Sequence, residues 1–198
     1  MKRDMIKEKE RVLAWLNEYK QKTNCKGVVL GLSGGKDSTV VAMLVKRVWG
    51  DNVLAVLMPN GKQADIDDSF AIAKTLGVRH FVVNIGAAYE GLLGAIETPE
   101  NESFAVSEKS KTNVQPRLRM TTLYAIAQTL GYQVVGTGNA SERFIGWFTK
   151  WGDGGCDFNP IAHLTCTEVV QLGCLLAKEM STFGCWYHLR FKRICRRS

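Results

Sequence analysis

Gly27-Val28-Val29-Leu30-Gly31-Leu32 leads through Ser33-Gly34-Gly35-Lys36-Asp37-Ser38 into Thr39-Val40-Val41-Ala42-Met43-Leu44-Val45-Lys46-Arg47-Val48. The first six residues are a short apolar, β-branched run, the pattern of a strand buried in a parallel sheet. The last ten read as a buried helix. The loop between them carries two glycines, which let the backbone turn sharply and approach an anion closely. N–H groups at the helix start, with the positive end of the helix dipole, favour phosphate there. Ser33 and Ser38 add hydroxyl donors. Asp37 is the odd member, because a carboxylate beside phosphates repels them unless a cation lies between; it implies Mg²⁺. The loop is neither Gly-x-x-x-x-Gly-Lys-Ser/Thr nor Gly-x-Gly-x-x-Gly.

Working outward, residues 4–22 space Ile6, Val12, Leu13, Trp15, Leu16 and Tyr19 among charges as an amphipathic helix does. Val53–Met58 is a second strand, closed by the turn signal Pro59-Asn60-Gly61. Residues 64–76 predict a helix and His80–Ile85 a third strand. Residues 97–112 are polar and predict a mobile loop; residues 114–130 predict a helix with Pro116 in its first turn. Gln133–Gly138 is a fourth strand running into a glycine turn, residues 141–150 are helical or turn-like, and residues 167–179 form a last helix. Strands alternating with helices at these intervals predict an α/β fold, an open parallel sheet with helices on both faces. In such sheets ligands bind outside the carboxyl ends of the strands.

Composition narrows the class. The chain has 198 residues, enough for one domain with a real core, and 45% apolar with 23% charged content is that of a soluble globular protein. No apolar run reaches the roughly 18 residues that span a bilayer, and the N-terminus lacks a signal-peptide core, so the expected location is cytoplasmic. The six cysteines (25, 156, 166, 174, 185 and 195) include no Cys-x-x-Cys pair and read as free thiols. Of the net charge of +7, residues 181–198 supply +5, from Arg190, Lys192, Arg193, Arg196 and Arg197 with no acid. Basicity is therefore a property of the tail, and neither a nucleic-acid nor a membrane partner is expected.

The hexapeptide Ser33–Ser38 resembles the Ser-Gly-Gly-x-Asp-Ser loop of the N-type ATP pyrophosphatases, whose fold is Rossmann-like, of the adenine nucleotide alpha hydrolase type. Two further segments narrow the resemblance. Asn113-Val114-Gln115-Pro116-Arg117-Leu118-Arg119-Met120 is similar to the Asn-x-x-x-Arg-x-Arg-Met segment of NAD synthetases. Gly136-Thr137-Gly138-Asn139-Ala140-Ser141-Glu142, with Gly146–Pro160, is similar to that family's most characteristic stretch. The resemblance covers roughly residues 5–180. It implies that Gly31, Leu32, Ser33, Gly34, Gly35, Lys36, Asp37 and Ser38 bind the phosphates of ATP and that Thr137 contacts ATP. It implies that Asp37 and Glu142 hold Mg²⁺, and that Arg117, Lys150 and Asp157 bind deamido-NAD. The implied reaction is ATP-dependent amidation of deamido-NAD to NAD through an acyl-adenylate, releasing AMP and pyrophosphate. Free ammonia is the expected nitrogen source and a homodimer the expected assembly.

Two departures from the family pattern stand out. A lysine that binds ATP is usual at the position aligned with Cys166; a lost contact of this kind costs on the order of 3 kcal/mol at a transition state. Residues 181–198 do not follow the family, which there closes over both substrates; they read as an atypical basic tail with the character of a frameshift. The alternative is therefore a catalytically impaired descendant that binds ATP or the dinucleotide. A tRNA-thiolating relative is a third reading, but it calls for paired reactive cysteines. His80 and His163 are expected to be structural.

Overall fold

The computed structural model describes residues 3–61, 66–101 and 104–180. Among them lie seven α-helices, α1 (Met5–Thr23), α2 (Lys36–Trp49), α3 (Ile66–Thr75), α4 (Gly86–Ile96), α5 (Glu108–Leu130), α6 (Ala140–Ile145) and α7 (Cys166–Glu179). Four strands, β1 (Val28–Gly31), β2 (Val53–Leu57), β3 (Arg79–Val82) and β4 (Gln133–Val134), pair in parallel in the order β3-β2-β1-β4. A parallel bridge from Val135 to Phe158 extends the sheet beyond β4. The parallel α/β fold expected from the alternation is the one observed.

Side-chain alternation divides the core. Val28 and Leu30 of β1, with Val53, Ala55 and Leu57 of β2, face α1, α2 and α7. Val29, Leu54, Val56 and Val134 face the other way, against Ala127, Leu123 and Tyr124 of α5. Both faces of β1 and β2 are covered, and these two strands carry no polar side chain. Caps fix the helix ends. Asp4 accepts from the N–H groups of Ile6 and Lys7 at the start of α1, and Asn24 ends it in the left-handed region at φ 50°. Glu8 ties this helix to the loop before α7, its Oε1 lying 2.6 Å from His163 Nε2. His163 is structural, as expected.

Three local expectations are corrected. Residues 108–112 are helical, because Ser107 caps α5 by accepting from Ser110 N (3.3 Å) well upstream of the apolar pattern. Pro116 consequently lies inside that helix and not in its first turn. Helix α4 has no counterpart in the sequence reading; Gly86, Gly91 and Gly94 dilute its pattern. Residues 181–198 lie outside the described residues.

The chain runs from β1 outward through β2 and β3, then returns to place β4 on the other side of β1. Strand order thus reverses between β1 and β4, and the loops leaving these two strands open into one crevice.

Candidate nucleotide-binding site

A cleft of about 1160 Å³ occupies that crevice. Its floor is the carboxyl ends of β1, β2 and β4, and one wall is formed by Asn113, Pro116, Arg119 and Met120 of α5. Gly31 through Asp37 and Thr137 all line it. The expected phosphate loop and the glycine turn after β4 are therefore in one site.

The loop is held open by its own hydrogen bonds. Ser38 Oγ donates to Gly35 O (3.2 Å) and lies 3.1 Å from Ser33 Oγ; Ser33 Oγ accepts from Gly35 N (3.3 Å). Gly35 is the N-cap of α2 and brings no side chain to cover the helix start. Gly34 has φ +79°, which favours glycine, and a Cβ there would also crowd Ser69 Oγ and Asp68 Cβ of α3. Ser38 is buried and does not line the cleft. Its hydroxyl shapes the loop.

Lys36 and Asp37, in the first turn of α2, give the site its charge. Lys36 is 7% exposed, with Nζ 3.2 Å from Asp37 Oδ2. Burial pulls its pKa down, but the Asp37 carboxylate and then the Cys166 side chain outweigh that, and the ammonium is held above its ordinary value. Cys166 thus stands beside Lys36, at the first residue of α7, with its N–H donating to Ser141 Oγ (3.1 Å).

Glu142 comes from α6, 105 positions along the chain from Asp37, yet the two carboxylates interact. Burial raises the Glu142 pKa; the N–H of Asn139 opposes this, and the nearby Asp37 charge adds to it. The link is Asn139, 1% exposed. Its Nδ2 donates to Asp37 Oδ1 (3.2 Å), its Oδ1 accepts from Glu142 N (3.0 Å), and its own N–H donates to Glu142 Oε2 (2.9 Å). The last two form a capping box. Two carboxylates forced together suit a hard cation, and no group of three or more His, Cys, Asp or Glu among the described residues offers a complete metal cage. A pair of this kind fits Mg²⁺ that takes the rest of its shell from phosphate and water.

The three residues expected to bind the second substrate lie outside the cleft lining. Arg117 Nε donates to Lys150 O (3.2 Å), and Lys150 Nζ stands 5.6 Å from the centre of the Trp151 ring. These two share an outer lip whose inner residues, Thr149 and Gly152, do line the cleft. Thr149 Oγ1 donates to Asn113 Oδ1 (2.8 Å), fastening the lip to α5. Asp157 stands apart, accepting from Val134 N (2.7 Å) and Tyr124 Oη (3.1 Å). Burial, then the Asp157 charge, pushes the Tyr124 hydroxyl up to about 12. Asn139, Asp68 and Arg119 had no assigned role from sequence, although Asp68 and Arg119 line the cleft. Asn139-x-x-Glu142 could have been read as a capping box, since Asn at a helix start with Glu three residues on is its signature.

A parallel sheet with a glycine-rich loop and a helix start at its switch point, beside Asp37 and Glu142, places the chain in the Rossmann-like nucleotide-binding class. The family model for NAD synthase matches residues 8–180. The chain is 44% identical over 164 residues to the NH(3)-dependent NAD(+) synthetase of Carboxydothermus hydrogenoformans, covering 81% of this chain and 65% of that protein. It is 44% identical over 180 residues to that of Alkaliphilus metalliredigens, covering 88% and 73%. Among solved structures, the NH3-dependent NAD synthetase from Campylobacter jejuni, in complex with the nitrate ion, superposes with a TM-score of 0.80 at 32% identity, covering 92% of this chain and 77% of that one. The NMN synthetase from Francisella tularensis gives 0.79 at 34%, covering 88% and 71%. The chain belongs to the NAD synthase family, and spans 65% of the Carboxydothermus relative's length.

Proposed function

We propose that this chain amidates deamido-NAD to NAD with ammonia and ATP, through an acyl-adenylate, releasing AMP and pyrophosphate. The observation that carries the reading is the convergence of Asp37 and Glu142 beside the phosphate loop, joined through Asn139. The nicotinate carboxylate attacks the α-phosphorus of ATP and pyrophosphate leaves; ammonia then attacks the acyl carbon and AMP leaves.

In this reading Asp37 and Glu142 hold Mg²⁺, which when bound offsets charge on the phosphates. The N–H groups at the start of α2 receive phosphate oxygens, and Gly34 and Gly35 let them come close. Lys36 adds a buried positive charge beside Cys166, the position where the family's usual lysine is missing. Thr137 lines the nucleotide's side of the cleft. Arg117 and Lys150, on the outer lip, suit the pyrophosphate of a dinucleotide. Asp157 acts on the same substrate from the β4 side.

The assembly proposed is a homodimer, supported by the apolar surface that Phe144, Ile145, Trp147 and Trp151 expose on the lip. The compartment proposed is the cytoplasm. Residues 1–180 are proposed as the NAD synthetase domain and residues 181–198 as an atypical basic tail.

The test is incubation of the purified chain with ATP, Mg²⁺, ammonium and deamido-NAD, following NAD and AMP together. Equimolar NAD and AMP is the expected result. Nucleotide binding without either product overturns the reading in favour of the impaired descendant. A parallel arm with nicotinate mononucleotide separates amidation of the dinucleotide from the activity named for the Francisella neighbour.

A further inference from the structure

We propose that Asn139 is a positioning residue that sets the geometry of the Asp37–Glu142 pair for its divalent cation. The inference rests on the preceding reading of those two carboxylates and assigns the residue that aligns them.

Asn139 is placed where both halves of the site meet. It ends the loop after β4 and is the N-cap of α6, with φ −97° and ψ 170°. Its side-chain amide faces two ways. The oxygen accepts from Glu142 N and so fixes the first turn of the helix that presents Glu142. The nitrogen donates to Asp37 Oδ1, a residue of a different helix. Asp37 is thereby held on both oxygens, by Asn139 Nδ2 on one and by Lys36 Nζ on the other, each at 3.2 Å. Glu142 is held through its own backbone and through Oε2, again by Asn139.

Capping alone does not account for this arrangement. Serine, aspartate and asparagine cap helices about equally well. Only asparagine among them offers both an acceptor for the helix and an N–H donor for a neighbouring carboxylate. Complete burial also separates this residue from an ordinary surface cap. Asn139 thus reaches both carboxylates, Asp37 through its side-chain N–H and Glu142 through its backbone N–H, without adding a charge of its own. Their separation is thus set before any cation arrives, and the cation does not have to order them.

The role predicts a split between capping and alignment. Asn139→Ser keeps an acceptor for Glu142 N but is too short to donate to Asp37. The expected result is an unchanged melting temperature with about a tenfold rise in the Mg²⁺ concentration at half-maximal binding of α,β-methylene-ATP, followed by calorimetry. The kcat falls by about tenfold at saturating Mg²⁺, while KM for deamido-NAD stays the same. Should Asn139→Ser not fold, Asn139→Asp keeps the cap and turns an acceptor toward Asp37; its kcat at saturating Mg²⁺ is expected to fall at least as far. A wild-type Mg²⁺ midpoint in folded Asn139→Ser, or a wild-type kcat in Asn139→Asp, overturns the proposal. Asp37→Asn run beside them tells the two readings apart. If it leaves Mg²⁺-dependent nucleotide binding intact, the carboxylate reading fails; if it abolishes that binding while Asn139→Ser matches wild type, only the role of Asn139 fails.

Discussion

The two sides of the cleft are built differently. On the inner side, Ser33–Ser38 and the turn after β4 carry the buried polar residues Lys36, Ser38 and Asn139, bonded to the Asp37 carboxylate or to backbone. On the outer side, residues 144–151 form a lip in which Phe144 is 91% exposed and Trp147 75% exposed. The inner side is satisfied within one chain, as buried polar groups must be. The outer side is tied to the rest of the chain by a few contacts, Thr149 to Asn113 and the carbonyl of Lys150 to Arg117. Small rigid anions such as phosphate suit a preformed cradle. A long dinucleotide needs a wider surface, and here the lip is apolar and exposed, with Trp147 and Phe148 lining the cleft and Phe144 outside it. In the proposed reading, one chain assembles the ATP half and the other half is completed by what covers the lip.

The sharpest way to break this contrast is at Asp37. Asp37→Asn leaves the helix start intact but removes half of the carboxylate pair. A loss of about 10³-fold in kcat is expected, by comparison with other electrostatic groups at reacting phosphates and oxyanions. An enzyme within tenfold of wild type would mean that the inner side is not the reacting side. Arg117→Ala, on the lip, should act on one substrate only. Loss of a charged hydrogen bond of about 1.5–3 kcal/mol raises KM for deamido-NAD by about 10- to 100-fold, with ATP binding unchanged. Equal effects on both substrates would erase the division between the two sides.

A smaller effect is expected behind the inner side, at Glu8. Burial pushes its carboxyl up, but hydrogen bonds from His163 and Arg11 outweigh that and hold it below the ordinary carboxylate range. An acid with a lowered folded pKa stabilises the fold fully above its unfolded pKa of ~4.3 and loses that contribution as pH falls through the folded value. Glu8→Gln should therefore cost about 1–2 kcal/mol near neutral pH, and the gap from wild type should close in more acidic solution. Thermal melts of both proteins across the acid range measure it. A gap that stays constant with pH would show that packing, and not charge, holds α1 to the loop before α7.

Legibility in the sequence followed the same division. β1, the phosphate loop and α2 could be read from Gly27 to Val48 because local pattern and tertiary role agree there: an apolar run, glycines at the turn, an apolar helix. The parallel sheet followed from the alternation of such units. What escaped depended on distant partners. Helix α4 leaves most of its residues exposed and carries three glycines, so no apolar face announces it. Pro116 suggested a helix start, yet the helix begins eight residues earlier at a serine cap inside a polar run. Asn139 was visible as part of a family segment, but its contact to Asp37 spans 102 residues and no local pattern encodes it. Arg117 and Lys150 were paired only by family resemblance, and they do meet, through a backbone carbonyl. Asp157 shares the Gly146–Pro160 segment with Lys150 but is anchored to Val134 and Tyr124 on the β4 side.

The smallest effect on the single chain, and the one that tests the outer side most directly, belongs to the lip itself. Phe144 and Trp147 bury little of their surface within the chain, so replacing both with serine removes almost no internal packing. Substitutions of that kind usually change stability by no more than about 0.5 kcal/mol each. If the apolar lip is covered by a second copy, the same pair should weaken self-association, and sedimentation across a range of protein concentrations reads this directly. KM for deamido-NAD should rise with the monomer fraction, while ATP binding at the preformed inner side stays as it was. A dimer of wild-type strength with an unchanged KM would mean that the exposed aromatics cover neither partner nor substrate, and the outer side would then have to be completed from elsewhere in the chain.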